Sequence, residues 1–161
     1  LRHSRVPFYR RNIGVVFQDF RLLPKMTVFE NIAFALEVLA LDKVTIRRRV
    51  REILELVSLQ DKAKSFPDQL SGGQQQRATI ARAIANHPKV LIADEPTGNL
   101  DPEKSMEIIE LLDKINKVEG TTIVMVTHDS TLVNTYKKRT IALEDGFIVA
   151  DIAKGGYIHH D

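Results

Sequence analysis

The segment LSGGQQQR at residues 70–77, followed by VLIADEPTGNLD at residues 90–101, constrains this chain more than any other feature. VLIA at residues 90–93 is a continuous apolar run, the pattern of a strand buried on both faces of a parallel sheet. Asp94 and Glu95 follow it directly. Such a strand delivers its acids to the C-terminal edge of the sheet, where open α/β sheets bind ligands. Upstream, Ser71, Gly72 and Gly73 begin a helix whose small apolar face is Ala78, Ala81, Ile84 and Ala85, and His87-Pro88 ends it. A fold that accommodates both segments alternates helices with strands.

The remaining sequence keeps that alternation. NIGVVF at residues 12–17 is apolar and β-branched, which predicts a strand. After Gln18 comes a turn-like segment with Pro24. Residues 27–40 read as a helix opened by a Thr27/Glu30 capping box, with Val28, Ile32, Ala35, Leu36 and Leu39 on one face. A second helix is predicted over residues 45–58. Its apolar stripe is Ile46, Val50, Ile53, Leu54 and Val57, and Arg47, Arg48, Arg49 and Arg51 form a solvated opposite face. Residues 60–69 are polar, contain Pro67 and connect to Ser71. Asp101-Pro102 is an N-cap with proline in the first helical turn, and Gly120 ends that helix. Residues 121–127 predict another buried strand, and a short helix follows near residues 132–136. TIALEDGFIVAD predicts two strands about an Asp145-Gly146 turn.

This order predicts an α/β fold with a mostly parallel sheet. Residues 1–18 and 68–150 belong to the α/β core. Residues 19–67, without a strand, form an inserted helical subdomain. Residues 151–161, with His159 and His160, form a flexible tail.

Composition narrows the function. The chain has 161 residues, no cysteine and a net charge of +2. Disulfide frameworks and thiolate metal sites are excluded, and no bulk electrostatic attraction to nucleic acid follows. No apolar stretch is long enough to span a bilayer. The opening LRHSRVPFYRR lacks the apolar middle of a signal peptide.

The chemistry lies in the two opening motifs. Asp94 can hold Mg²⁺ directly or through water, and Glu95 can orient an attacking water. Phosphoryl transfer asks the protein mainly for positioning and charge stabilisation, so two acids suffice for such roles. The tip of the helix after Ser71 offers backbone N–H groups and a positive dipole end to an anion. Ser71 adds a hydroxyl, and Gly72 and Gly73 let a phosphate come close. An Asp-Glu pair alone is ordinarily a cap or a surface loop, and LSGG alone is a capped helix start. Their succession in one chain reverses both readings.

Five motifs in order carry a family resemblance. Gln18 ending NIGVVFQ, LSGGQ, VLIADE, Asn99-Leu100-Asp101 and His128 in VTHD resemble the Q-loop, signature, Walker B, D-loop and switch histidine of ABC-type ATPase subunits. ADEPTGNLD is similar to the branch serving lipoprotein release, macrolide export and cell division. VPFYRRNIGVVFQDFRLLPKMTVFENIAFALEV and KKRTIALEDGFIV are most similar to its bacterial cell-division members. The resemblance implies a partial P-loop NTPase, RecA-like, with ATP and Mg²⁺ as cofactors. Glu95, His128 and Gln18 would be catalytic, and Asp94 and Gln18 would hold the metal. Ser71, Gly72, Gly73 and Gln74 would bind ATP held mainly by the opposite protomer, with Asp101 communicating across a homodimer that sandwiches two ATP molecules. An integral membrane, permease-like subunit would dock on the helical subdomain, with residues 20–24 and the helix after Thr27 as the contact. The location implied is the cytoplasmic face of the bacterial plasma membrane.

One element of that family is missing from the sequence. A phosphate loop G-x-x-x-x-G-K-[ST] occurs nowhere among the eight glycines. The expectation is therefore a C-terminal portion of an ATPase subunit. Orientation can contribute about 7–11 kcal/mol to catalysis, so hydrolysis by this chain alone should be negligible. Uncovered strand edges and apolar faces predict poor solubility. The alternatives are an exporter ATPase, a nucleic-acid-associated ABC ATPase and a non-hydrolysing scaffold. The compact interval from Gln18 to Ser71 and the lack of cysteines disfavour the second. The presence of Glu95, His128 and LSGGQ disfavours the third.

Overall fold

A computed structural model describes residues 6–155, which divide after Val126 into two units. In the first unit, α1 (Val6–Arg11), a helix the sequence did not announce, leads into β1 (Ile13–Val16). Then come α2 (Val28–Glu37) and α3 (Lys43–Leu56). Two 3₁₀ turns, Gln60–Lys62 and Pro67–Gln69, lie in the predicted polar connection before α4 (Gly72–Ile84). β2 (Val90–Asp94), α5 (Pro102–Glu119) and β3 (Thr122–Val126) complete the unit. The strands form a parallel sheet in the order β1-β2-β3, with Val15 beside Ile92 and Ile92 beside Val124. Parallel neighbours need long crossovers. Here α2, α3 and α4 make the first, and α5 makes the second.

α4 presses directly on the sheet. A Cβ at Gly14 would stand 2.5 Å from the Ala83 carbonyl oxygen and 2.9 Å from Leu91 Cδ1, so only glycine permits this approach. The row facing the helices contains Val16, Leu91 and Ala93, all with no exposed surface. The opposite row is different. Ile13, Val15, Val124 and Val126 are exposed, Val126 by 52%. β2 is therefore half-buried on this side, at Val90 and Ile92, rather than buried on both faces, and the exposed row is an uncovered apolar face of the kind the sequence predicts. Apolar composition records a preference for burial, whereas burial itself requires an element on that side.

Local signals set the helix starts. Thr27 accepts from Glu30 N, and Glu30 Oε2 accepts from Thr27 N at 2.7 Å, completing the expected box. The next residue, Asn31, is fully buried and does more than the sequence foretold. Its amide bonds Leu23 N, Leu23 O, Met26 O and Thr27 O, fixing the turn before α2. Asp42 caps α3 two residues earlier than predicted, by accepting from Val44 N and Thr45 N. Asp101 caps α5, and Gly120 ends it at φ 67° in the left-handed region.

The arginine cluster on α3 does not stay in solvent as a whole. Arg47, Arg48 and Arg51 are exposed, but Arg49 is only 8% exposed. It donates to the Ile84 and Ala85 carbonyls at the C-terminal end of α4 and to Glu119 at the end of α5, at 2.9 Å. His87 Nδ1 meets the same carboxylate at 2.7 Å. Burial pushes the Glu119 carboxyl up, but the hydrogen bond and charge of Arg49, with His87, outweigh it and hold it below its ordinary value. The helical period assigned Arg49 to the polar side, and a partner 70 residues away draws it inward.

In the second unit, Asp129 caps α6 (Ser130–Tyr136). β4 (Thr140–Glu144) and β5 (Phe147–Ile152) form an antiparallel hairpin. Its turn has Asp145 at φ 47° and Gly146 at φ 83°, the double positive φ of a tight hairpin turn. Arg139 grips Asp151 through two bonds of 2.9 and 2.7 Å. Gly155 N donates to Lys138 O at 2.8 Å. Gly156, His159 and His160 lie outside the described residues. No helix among the described residues is long and apolar enough to cross a membrane.

Removing Arg49 leaves a shielded carboxylate without its main counter-charge. Arg49→Ala should lower unfolding free energy by about 3 kcal/mol, and Arg49→Leu with Glu119→Leu by much less, as read by urea denaturation. A carboxyl depressed by folding contributes stability that is complete above its unfolded value and lost as pH falls through its folded one. The wild type should therefore lose stability in acid more steeply than the double-leucine variant.

Candidate functional site

The signature segment forms the N-terminus of α4. Ser71 Oγ accepts from Gln74 N at 3.3 Å, and Gln74 Oε1 accepts from Ser71 N at 3.0 Å. Together they form a capping box. The Gln74 side chain is thus held at the cap, while the amides of Gly72 and Gly73 are outside that box. A Cβ at Gly72 would sit 3.4 Å from Leu100 Cδ2, and one at Gly73 3.4 Å from Lys104 Cδ. The helix tip therefore lies against the start of α5. Arg77 and Lys104 both bond Glu107, at 2.8 and 2.6 Å. The Lys104 and Arg77 hydrogen bonds hold the Glu107 carboxyl below its ordinary value, and Glu107 raises that of Lys104.

β2 ends in the predicted acids. Asp94 lies beside Val126 in the sheet register and is exposed. Glu95 has φ 46°, unusual for a residue with a side chain. Its N–H donates to Val126 O at 3.0 Å, and its carbonyl accepts from Gly98 N at 3.1 Å. Strain of this kind persists where surrounding bonds over-determine the backbone, and it clusters at functional sites.

Gln18 meets the loop that follows Glu95. Its Nε2 donates to Asn99 Oδ1 at 3.4 Å, and Asn99 Nδ2 donates to Gln18 O at 3.0 Å. A Cβ at Gly98 would stand 2.7 Å from Gln18 Nε2, so a side chain there would push the Gln18 amide away from the loop. Phe20 and Arg21 follow with φ 53° and 51°. Their carbonyls accept from Thr79 Oγ1 at 2.9 Å and Arg82 Nη1 at 2.8 Å. Both donors lie on α4.

The first unit thus brings together Gln18, the segment from Asp94 to Asp101 and the tip of α4. Asp101 is the α5 cap. His128 belongs to the second unit, where it immediately precedes the α6 cap Asp129. In the chain it stands two residues after Val126, whose carbonyl holds Glu95 N.

Sequence reasoning missed Gln76. It has no exposed surface, and its Nε2 donates to Pro96 O at 2.6 Å. The signal was the spacing Gly73, Gln76, Ile80, Ile84, which places the glutamine on the buried face of α4.

The residues suit a nucleotide with its magnesium. Among the described residues, no group of three or more His, Cys, Asp or Glu side chains could hold a metal ion. Mg²⁺ commonly takes one or two carboxylates, substrate phosphates and waters rather than an all-protein cage. The exposed Asp94 fits that donor set, with Gln18 near the same loop.

The ABC transporter family model matches residues 1–98 of this sequence. The chain belongs to that family. This ABC chain is 59% identical over 161 residues to the cell division ATP-binding protein FtsE of Bacillus subtilis (strain 168), covering all of the chain and 70% of the relative. It is 58% identical, with the same coverages, to FtsE of Streptococcus pneumoniae serotype 2 (strain D39 / NCTC 7466). A dimeric structure of the ATP-binding cassette MJ0796, in a post-hydrolysis state bound to ADP and Pi, aligns with a TM-score of 0.80 at 39% identity. That alignment covers 98% of this chain and 69% of the other. The mostly parallel α/β architecture is that of ABC cassettes, which are P-loop NTPases.

The cap at the signature helix can be tested apart from nucleotide chemistry. Ser71→Ala should reduce stability by about 1 kcal/mol, and Ser71→Asp should restore most of it, as measured by urea denaturation.

Proposed function

We propose that this chain supplies the signature, Walker B, D-loop and Q-loop segments of an FtsE-like ATPase subunit acting in bacterial cell division. The observation that supports this reading most is the meeting of Gln18 with the loop that carries Asp94, Glu95, Asn99 and Asp101. The identity to FtsE proteins along the whole chain supports the cell-division assignment.

In this reading Asp94 and Gln18 hold the magnesium that accompanies ATP. Bound there, the ion neutralises charge on the transferring phosphoryl group. Glu95 orients the attacking water and accepts its proton. The fixed backbone on both sides of Glu95 limits where that carboxylate can point. His128 contacts the γ-phosphate. Ser71, Gly72 and Gly73 face the γ-phosphate of ATP held mainly by a second protomer, where the Ser71 hydroxyl has a proton to donate and the glycine amides add two more donors. Gln74 contributes through the cap. Asp101 relays between protomers. The dimer of MJ0796 bound to ADP and Pi supports such an arrangement.

Residues 19–67 act as the helical subdomain. Phe20–Pro24 and α2 form the contact with an integral membrane, FtsX-like subunit at the cytoplasmic face of the plasma membrane. The bonds from Thr79 and Arg82 to this loop would pass its displacement to α4. Catalysis needs a phosphate loop joined to this chain, and the 161 residues alone do not hydrolyse ATP.

The test uses the ATPase with its phosphate loop. Glu95→Gln should lower ATP turnover by about 10²–10⁴-fold while ATP binding and ATP-dependent dimerisation remain, as followed by phosphate release and size-exclusion chromatography. Turnover at the wild-type rate would refute the role of Glu95.

A further inference from the structure

We propose that Gln76 is a positioning residue for the hydrolytic step, clamping the turn that aims the Glu95 carboxylate. This rests on the role given to Glu95 above. The backbone around Glu95 is held at three points. Glu95 N bonds Val126 O at 3.0 Å, Glu95 O accepts from Gly98 N at 3.1 Å, and Pro96 O accepts from Gln76 Nε2 at 2.6 Å. The first two anchors are backbone to backbone. The third is a side chain, so a substitution can remove it without breaking the sheet.

The setting of Gln76 shows what this bond demands. It is fully buried on α4, among neighbours such as Thr79 and Ile80 that are at most 1% exposed. Its Oε1 has no hydrogen-bond partner among the described residues. A buried amide with an orphaned acceptor is costly, and an apolar residue of similar size would avoid that cost. What the amide supplies is a donor to Pro96 O, one residue beyond a glutamate held at φ 46°. A residue with a side chain keeps a left-handed backbone only when its surroundings enforce it. Without the clamp the Pro96–Thr97 peptide can turn, and the backbone just before it, which carries the Glu95 carboxylate, can shift with it.

The position also links two motifs. Gln76 lies one helical turn inside the signature helix, five residues after Ser71. A shift of α4 moves the Pro96 carbonyl with it. The phosphate-facing tip and the hydrolytic acid are joined within one protomer by this bond, apart from any contact across a dimer.

The experiment uses the ATPase with its phosphate loop and measures kcat, KM for ATP and thermal midpoint for Gln76→Leu and Gln76→Glu. Gln76→Leu removes the donor. Its kcat should fall on the order of 10- to 100-fold, the scale of a misplaced catalytic group, with KM nearly unchanged. Gln76→Glu can donate to Pro96 O only when its carboxyl is protonated. Its kcat relative to wild type should therefore recover as pH falls. If Gln76→Leu does not fold, the pH profile of Gln76→Glu decides. Wild-type kcat in a folded Gln76→Leu, or a loss in Gln76→Glu independent of pH, overturns the proposal. Glu95→Gln serves as the control. If it turns over like wild type, the assignment of Glu95 falls and this inference with it. If it is inactive while Gln76→Leu is fully active, only the inference falls.

Discussion

The close seating of α4 on the sheet governs the first unit. At Gly14 the helix comes within a distance that excludes even a methyl group. From that seat α4 reaches in several directions. Thr79 and Arg82 hold the loop after Gln18, Gln76 holds the turn after Glu95, and Arg77 joins α5 through Glu107. Asn86, just past the helix end, bonds the Arg11 carbonyl at 2.7 Å. These bonds connect segments far apart in the chain. The loops that carry the candidate chemistry are held by their own bonds, by the sheet and, at Phe20, Arg21 and Pro96, by this helix.

Several features were legible because their causes are local. The Thr27/Glu30 box, the Asp101-Pro102 start, the Gly120 stop and the Asp145-Gly146 turn each depend on residues within one turn of chain. The strands were found from β-branched runs, and the parallel order follows from helices between them. The acids at the end of β2 were found for the same reason, because a strand and its next residue define the place.

What escaped depends on distant partners. Arg49 looked like its exposed neighbours because Glu119 lies far along the chain. Asn31 read as one polar position in an amphipathic helix, yet it is the buried fastening of the preceding turn. Gln76 stands in a run of three glutamines, and its bond to Pro96, 20 residues on, shows only in the fold, although helical spacing sets it on the Ile80 and Ile84 face apart from Gln74 and Gln75. The outer row of β2 and β3 departs from strands buried on both faces for a related reason. A sequence states which residues avoid water, not which surfaces the rest of a molecule covers.

The grip of Arg49 has a mechanical consequence. One guanidinium ties the middle of α3 to the carbonyls closing α4 and to the last turn of α5. Its planar group bonds in several fixed directions at once, so it resists sliding better than a flexible point charge would. A load applied to α3 is then not dissipated by local repacking. Displacing α3 has to stretch or carry these bonds, so one side chain couples it to the ends of α4 and α5.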